Sequence, residues 1–213
     1  MSQCLLDEFI VDVAAGWVHS LVLTQKGEVI GFGGSDNYQL GVKCDSQLSP
    51  IKVVLPERVV QVECGDEQSF FVTEKRSLFC LGGNEDGECA KNPLFTKNLK
   101  TPSPVKMFRE NVKLFASGCN HFACYTREER LYLWGLNAQG QIGNNTNVRT
   151  HKPYEHTLFQ SKVVALFLYK TSTAVVLRNE QIVNGELSSL FIWGENSKSI
   201  FSSYFLIFEM VSR

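Results

Sequence analysis

The sequence predicts an all-β protein, a repeat array of the β-propeller type with about four blades of antiparallel strands. A two-part sequence motif recurs four times at a spacing of about fifty residues, which indicates one supersecondary unit copied in tandem. Short apolar runs alternate with turn residues, and no segment shows a sustained helical period. Residues 1–213 are therefore predicted to form a single array, with repeats at approximately 10–58, 59–110, 111–161 and 162–213.

Each half of the motif contains a glycine. The first half is a glycine followed three residues later by a polar side chain, as in Gly16 with His19, Gly65 with Gln68, and Gly118 with His121. The second half is a large apolar residue before a glycine: Phe32-Gly33, Leu81-Gly82, Trp134-Gly135 and Trp193-Gly194. The fourth copy is degenerate, because Tyr169 replaces the opening glycine and Ser172 replaces the histidine.

The strands of the first repeat follow from its residue types. Residues 10–14 and 19–24 are short apolar runs, and residues 28–32 and 50–55 are two more. Gly27 lies in the turn after the second run, where a tight hairpin requires the positive φ that glycine supplies. Four antiparallel strands per repeat make one propeller blade. The apolar stretch 200–208 is too short for a spanning helix and is predicted to be a strand of the last blade.

The repeated residues are predicted to serve the architecture. Gly16, Gly65 and Gly118 are expected at turns, with φ values that a Cβ would resist. The four large apolar residues of the second half are expected to pack between adjacent blades. His19 and His121 occupy matched positions, which favours a structural hydrogen bond over catalysis.

Composition argues against several classes of function. Hydrophobic residues make up 44% and charged residues 20%, and the net charge near −1 disfavours a nucleic-acid partner. No secretory leader is evident, so a cytoplasmic or nuclear location is predicted, with no membrane contact. No phosphate loop, nucleophile elbow or metal motif occurs, so we predict no enzyme activity, no cofactor and no metal; His151 and His156 are not expected to bind one. Cys80 and Cys89 are predicted to be buried, reduced thiols.

The pattern Gly-x-x-His-Ser followed by Trp-Gly-x-Asn-x-x-Gly-Gln-Ile-Gly resembles the repeat of the regulator of chromosome condensation family. Residues 112–143 carry it most completely, while Tyr38 and Ala90 stand where the pattern has glycine. The resemblance implies a seven-bladed propeller, of which this chain holds about four repeats, so the array is predicted to be incomplete. Family members include exchange factors for the Ran GTPase, interaction modules attached to kinases or ubiquitin ligases, and light sensors, so the fold alone leaves the activity open.

The turns between the first and second strands are the predicted binding surface, because a propeller gathers them on one face. These turns carry Trp17, Val18, Asp66, Glu67 and Asn120. Trp17 suits a protein contact, because aromatic anchors dominate binding hot spots. In exchange-factor members, the resemblance implies that this rim contacts the GTPase. Asp66 and Glu67 are suited to disturbing its phosphate and Mg²⁺ site, or are simply solvated acids.

We therefore predict a non-catalytic protein–protein interaction scaffold, with guanine nucleotide exchange on a small Ran-type GTPase as the alternative. Chromatin binding is disfavoured, because no basic tail is present. Connections 36–49, 85–104 and 138–153 are a second candidate surface, expected to be solvated loops. An incomplete array has exposed edge strands, which can pair with other strands. Three alternatives follow: self-association, closure into a small ring, or a chain that is a truncated product of a longer ancestor.

Overall fold

The computed structural model describes residues 8–157, 159, 163–178, 187–194 and 209–211. Within these residues, sixteen strands form four antiparallel sheets of four strands each, in chain order. A single-turn 3-10 helix, Lys106–Phe108, lies between the second and third sheets. The predicted all-β class and the array of about four blades are confirmed, and the sheets do not close into a barrel.

The four sheets are numbered as blades 1 to 4. Blade 1 contains β1 Ile10–Ala15, β2 His19–Thr24, β3 Val29–Ser35 and β4 Cys44–Val53. Blade 2 contains β5 Val59–Cys64, β6 Gln68–Thr73, β7 Leu78–Gly83 and β8 Asn98–Pro104. Blade 3 contains β9 Val112–Ser117, β10 His121–Thr126, β11 Leu131–Gly135 and β12 Thr150–Glu155. Blade 4 contains β13 Val163–Tyr169, β14 Ser172–Arg178, β15 Leu187–Gly194 and β16 Glu209–Val211.

The outermost strands correct the expectation that the long connections are solvated loops. Strands β4, β8 and β12 begin at Cys44, Asn98 and Thr150, so the last part of each connection pairs with the third strand of its blade. These strands are mostly polar and exposed, so they lack the apolar alternation by which a strand is recognised. The strand predicted at 200–208 lies outside the described residues.

Apolar layers between successive blades form the core. Leu81 lies in the layer between blades 1 and 2, and Trp134 in the layer between blades 2 and 3. Trp193 packs against the layer between blades 3 and 4. The Trp134 indole is fully buried and stacks on Phe108 with ring centroids 5.2 Å apart. In blades 2 to 4, the large residue of the repeat therefore packs against the preceding blade.

The two sets of repeated glycines serve different purposes. Gly33, Gly82, Gly135 and Gly194 have φ of 103°, 107°, 102° and 108°, a region that side chains avoid. The left-handed conformation expected at Gly16, Gly65 and Gly118 is wrong, because their φ is not positive. Close approach requires glycine there: a Cβ on Gly16 would collide with the Gly65 carbonyl oxygen, and one on Gly118 with the His121 ring.

Cys80 and Cys89 form a disulfide, which corrects the prediction of reduced thiols. Cys89 lies in the loop after β7, and this loop folds back over the middle of β7, where Cys80 lies. In blade 1, the equivalent residues are Leu40 and Gly31, and a Cβ on Gly31 would lie 2.6 Å from a Leu40 methyl carbon. The fold therefore brings these two positions together in both blades, although the sequence separates them by nine residues.

Candidate functional site

Backbone hydrogen bonds join the rim turns of blades 1, 2 and 3. The Trp17 amide donates to the Asp66 carbonyl oxygen at 3.1 Å, and the Asp66 amide donates to the Cys119 carbonyl oxygen at 2.7 Å. Equivalent turns are thus linked from one blade to the next. Because their backbones are fixed, the side chains on these turns are held at set distances from one another.

A groove of about 360 Å³ opens on this rim, and we call it the rim groove. It is lined by Trp17, Asp66, Glu67, Gln68, Gly83, Asn84, Glu85, Asp86, Glu88 and Asn120. Four of the five residues predicted to bind a partner therefore line one concave surface. The exception is Val18, which lies near Gly34 and does not line the groove. The Trp17 side chain is 78% exposed at the groove wall.

The loop between β7 and β8 supplies the other wall, so part of the second candidate surface at 85–104 adjoins the predicted rim turns. Asn84 Oδ1 accepts a hydrogen bond from the Cys89 amide at 2.9 Å, and Glu88 Oε2 accepts one from the Asp86 amide at 2.8 Å. In an antiparallel meander, the loop after the third strand leaves the sheet at the same end as the turn after the first strand. That rule could have placed Glu85, Asp86 and Glu88 beside Asp66.

Carboxylates dominate the electrostatics of the rim groove. Burial raises the pKa of Glu88 to about 7, and Gln68 Nε2 donates to Glu88 Oε1 at 3.2 Å. Desolvation, followed by the charges of Glu85 and Asp66, raises the pKa of Glu67. Arg149 donates to the Asp86 carboxylate and balances part of this charge.

Amide side chains hold the two acids of the blade 2 turn. Asn37 Nδ2 donates to Glu67 Oε2 at 2.6 Å, and Asn120 Nδ2 donates to Asp66 Oδ2 at 3.0 Å. Hydrogen bonds to the charged form stabilise it, so the interaction with Asn37 favours the ionised form of Glu67. The acids therefore have set positions as well as charge.

The repeated histidines lie at the joints, our name for the contacts between successive blades. His19 Nε2 lies 3.0 Å from Ser69 Oγ, and that hydroxyl donates to the Gln39 carbonyl oxygen at 2.7 Å. A hydroxyl has one proton, so the imidazole donates from Nε2. Burial lowers the pKa of His19 and of His121 to about 4, so both rings are neutral near pH 7.

The other two joints vary this arrangement. At the joint of blades 3 and 4, His121 Nε2 lies 3.0 Å from Thr173 Oγ1, which donates to the Gln141 carbonyl oxygen at 2.7 Å. At the joint of blades 2 and 3, Gln68 occupies the histidine position and Phe122 the hydroxyl position. The described residues contain no cluster of three or more metal-ligating side chains, and His156 packs against Phe159 and Trp193.

These features define a class: an open array of β-propeller blades with a polar rim groove and no membrane-crossing helix in the described ranges. Sequence models described as the regulator of chromosome condensation (RCC1) repeat match residues 26–72 and 128–167, and residues 10–39. The chain therefore belongs to the RCC1 repeat family.

Curated relatives match most of this chain but little of their own length. Mouse regulator of chromosome condensation is 35% identical over 138 residues, covering 63% of this chain and 32% of the relative. Human X-linked retinitis pigmentosa GTPase regulator is 31% identical over 145 residues, covering 65% and 14%. Rat probable E3 ubiquitin-protein ligase HERC4 is 32% identical over 156 residues, covering 71% and 15%. The chain thus spans about a third or less of each relative.

Solved structures share the fold. Yeast RCC1 (Prp20), in a crystal structure with Kap60, superposes with a TM-score of 0.70 at 25% identity, covering 87% of this chain and 42% of that chain. Human WBSCR16 superposes with a TM-score of 0.78 at 24% identity, covering 98% of this chain and 55% of that chain.

Proposed function

We propose that this chain is a protein-binding module whose rim groove holds a positively charged segment of a partner protein. The proposal depends on the groove itself, in which five carboxyl groups surround a concavity beside an exposed indole. Their residues are Asp66, Glu67, Glu85, Asp86 and Glu88. A basic segment complements this charge, and complementary charge steers association and fixes register.

The groove also offers preformed contacts. Its turns are hydrogen-bonded across blades, so little side-chain and loop freedom is lost when a partner binds. The indole of Trp17 provides an apolar anchor and a π face for an arginine or lysine side chain. An extended segment with alternating basic and apolar residues therefore matches both walls.

The comparisons support a binding role. Yeast RCC1 has been crystallised with Kap60, and Prp20p has been described together with its binding to Gsp1p and histones. The absence of enzyme activity, and the cytoplasmic or nuclear location, stay predictions.

Fluorescence anisotropy with a labelled peptide of alternating arginine and leucine tests the proposal. We expect micromolar binding that weakens with salt, at least fivefold weaker binding for Trp17→Ala, and a similar loss for Glu67→Gln combined with Glu85→Gln. Glu74→Gln is the matched control, because Glu74 follows β6 at the opposite end of blade 2 and is exposed. If this control weakens binding as much as the groove variants, affinity follows net charge and the proposal is wrong.

A second candidate function is nucleotide exchange on a Ran-type GTPase. The favouring observation is that Asp66 and Glu67 are adjacent acids on an exposed turn, each held by an asparagine. Release of a fluorescent guanine nucleotide from Ran measures this function. Acceleration of at least tenfold that is lost in Asp66→Asn would support exchange. Binding of Ran without acceleration would exclude exchange and would be consistent with the protein-binding module.

A further inference from the structure

The loop between β7 and β8 divides by charge. Its first part, residues 85–88, carries three acids and forms a wall of the rim groove. Its last part, together with the start of β8, spans residues 90–100 and carries three lysines and no acid. Within this basic part, Leu94 and Phe95 are adjacent large apolar residues whose side chains are 85% and 86% exposed. Contiguous exposed apolar surface is typical of an interaction site.

Hydrogen bonds hold these two residues on one preformed turn, residues 91–97, which we call the Leu-Phe turn. The Asn92 side chain caps it, because its Oδ1 accepts from the Leu94 amide at 3.0 Å. The Asn92 carbonyl oxygen accepts from the Phe95 amide at 3.1 Å. Pro93 follows the cap, and its fixed φ suits the first position of a helical turn. The exposed apolar residues therefore lie on an ordered backbone.

Asn84 connects the Leu-Phe turn to the wall of the rim groove, which it also lines. Its backbone amide donates to the Lys97 carbonyl oxygen at 2.7 Å. Its Nδ2 donates to the carbonyl oxygens of Thr96 at 2.6 Å and Lys91 at 3.2 Å. The groove wall and the turn are therefore neighbours on one surface, at a fixed distance from each other.

Blade 3 builds the equivalent loop without apolar residues at its tip. Asn137, the equivalent of Asn84, donates from Nδ2 to the carbonyl oxygens of Thr146 at 2.8 Å and Val148 at 3.3 Å. The tip of this loop, residues 144–147, reads Asn-Asn-Thr-Asn. The geometry of the loop therefore does not require an apolar pair, which favours a binding role for Leu94 and Phe95.

We propose that two copies of this chain associate about a twofold axis, and that each copy inserts its Leu-Phe turn into the rim groove of the other. The lysines of the turn complement the carboxyl groups of the groove, and Phe95 complements the exposed indole of Trp17. The groove volume of about 360 Å³ suits a compact turn. A twofold axis makes both contacts at once, because the turn and the groove lie side by side.

The turn is not paired within its own chain. Leu94 and Phe95 are exposed, and among the described residues neither Lys91 nor Lys97 forms an ion pair with a carboxylate. Lys91 Nζ donates to the Pro104 carbonyl oxygen at 3.3 Å. The inference rests on the proposed function, which assigns basic and apolar side chains to the rim groove. A bound partner segment would therefore displace the second copy.

Sedimentation velocity of the full chain over a range of concentrations tests the proposal. Small interfaces give weak association, so we expect a salt-sensitive monomer–dimer equilibrium in the micromolar range. Leu94→Asp combined with Phe95→Asp should weaken dimerisation at least tenfold. Leu48→Asp combined with Val54→Asp is the matched control, because it places the same charge at exposed positions of blade 1 and should have no effect. A chain that stays monomeric, or equal losses in both variants, overturns the proposal.

Charge reversal tests whether the turn and the groove meet. Lys91→Glu combined with Lys97→Glu should weaken dimerisation at least fivefold, and so should Glu67→Lys combined with Glu85→Lys. A mixture of these two variants should form a heterodimer of wild-type affinity, because both of its contacts are again complementary. Circular dichroism checks that each variant is folded. Two folded variants that do not associate with each other overturn the proposal.

The peptide of alternating arginine and leucine separates this inference from the proposed function. It should bind the groove and dissociate the dimer, because it binds only the free groove. Peptide binding to a chain that stays monomeric overturns this inference alone. A dimer that is lost in the turn and groove variants, with a peptide that neither binds nor dissociates it, supports this inference and refutes the proposed function alone. Cosedimentation of a monomeric chain with phosphatidylserine vesicles, lost in Leu94→Asp combined with Phe95→Asp, also overturns it, because the turn then binds a membrane.

Discussion

Replacing Trp134 with alanine is expected to destabilise the array more than any equivalent change at Phe32. The Trp134 side chain is fully buried, and its Nε1 donates to the Glu88 carbonyl oxygen at 2.7 Å. Burial of about 200 Å² of aromatic surface at about 25 cal/mol per Å² is worth about 5 kcal/mol. Partial collapse of the cavity offsets some of this loss, so we expect about 4 kcal/mol for Trp134→Ala.

Two further variants separate the contributions to this value. Trp134→Phe keeps most of the packing and removes the N–H donor, so it should cost about 1–2 kcal/mol. Phe32→Ala, at the equivalent but half-buried position of blade 1, should cost about 1 kcal/mol. Urea unfolding followed by circular dichroism measures all three. Equal losses of unfolding free energy for Trp134→Ala and Phe32→Ala would refute the argument that Trp134 is stabilised by packing against the preceding blade.

Three other predictions concern Ala90, Glu88 and the disulfide in blade 2. Ala90 has φ of 54° where equivalent Gly41 and Gly143 have 79° and 71°, so Ala90→Gly should raise the free energy of unfolding by about 0.5–1 kcal/mol in urea titrations. The pKa of Glu88 is raised from 4.5 to about 7, so its contribution to stability is present below pH 4.5 and is lost as the pH rises through 7. Glu88→Gln should therefore stabilise the array by about 1–2 kcal/mol at pH 8 and by much less at pH 5; equal effects at both would contradict the assignment. Reduction of the Cys80–Cys89 disulfide should cost about 2–3 kcal/mol, measured as a lower urea midpoint in dithiothreitol, with Cys80→Ser plus Cys89→Ser as the control that no longer responds.

Repetition made much of the fold predictable from the sequence. The fifty-residue period, the glycines and the large residue of the second half indicated four blades, and the turn after each first strand indicated the rim. Only the end of β4 was predicted, at 50–55, and β8 and β12 were not, because mostly exposed polar strands carry no apolar alternation. The conformations of Gly16 and Gly65 also escaped prediction, because their cause is contact with a neighbouring blade.

The rim groove was only half predictable. Trp17, Asp66, Glu67 and Asn120 belong to equivalent turns, so their proximity follows from the repeat. Glu85, Asp86 and Glu88 come from the loop of blade 2, and the equivalent loops of blades 1 and 3 do not carry this set of three acids. The Cys80–Cys89 pair depends on a loop that folds back onto its own sheet, which spacing alone does not reveal.

The alternation of joint chemistry constrains how this gene can change by recombination. Deleting the second repeat would place His19 opposite Phe122, and a buried imidazole would then lose its hydroxyl acceptor at a cost of about 1–3 kcal/mol. Blades in this chain are therefore not interchangeable modules, because each is matched to one neighbour on each side. Tandem duplication is expected to be tolerated most readily for the first repeat, because it carries His19 at the histidine position and Ser20 at the hydroxyl position.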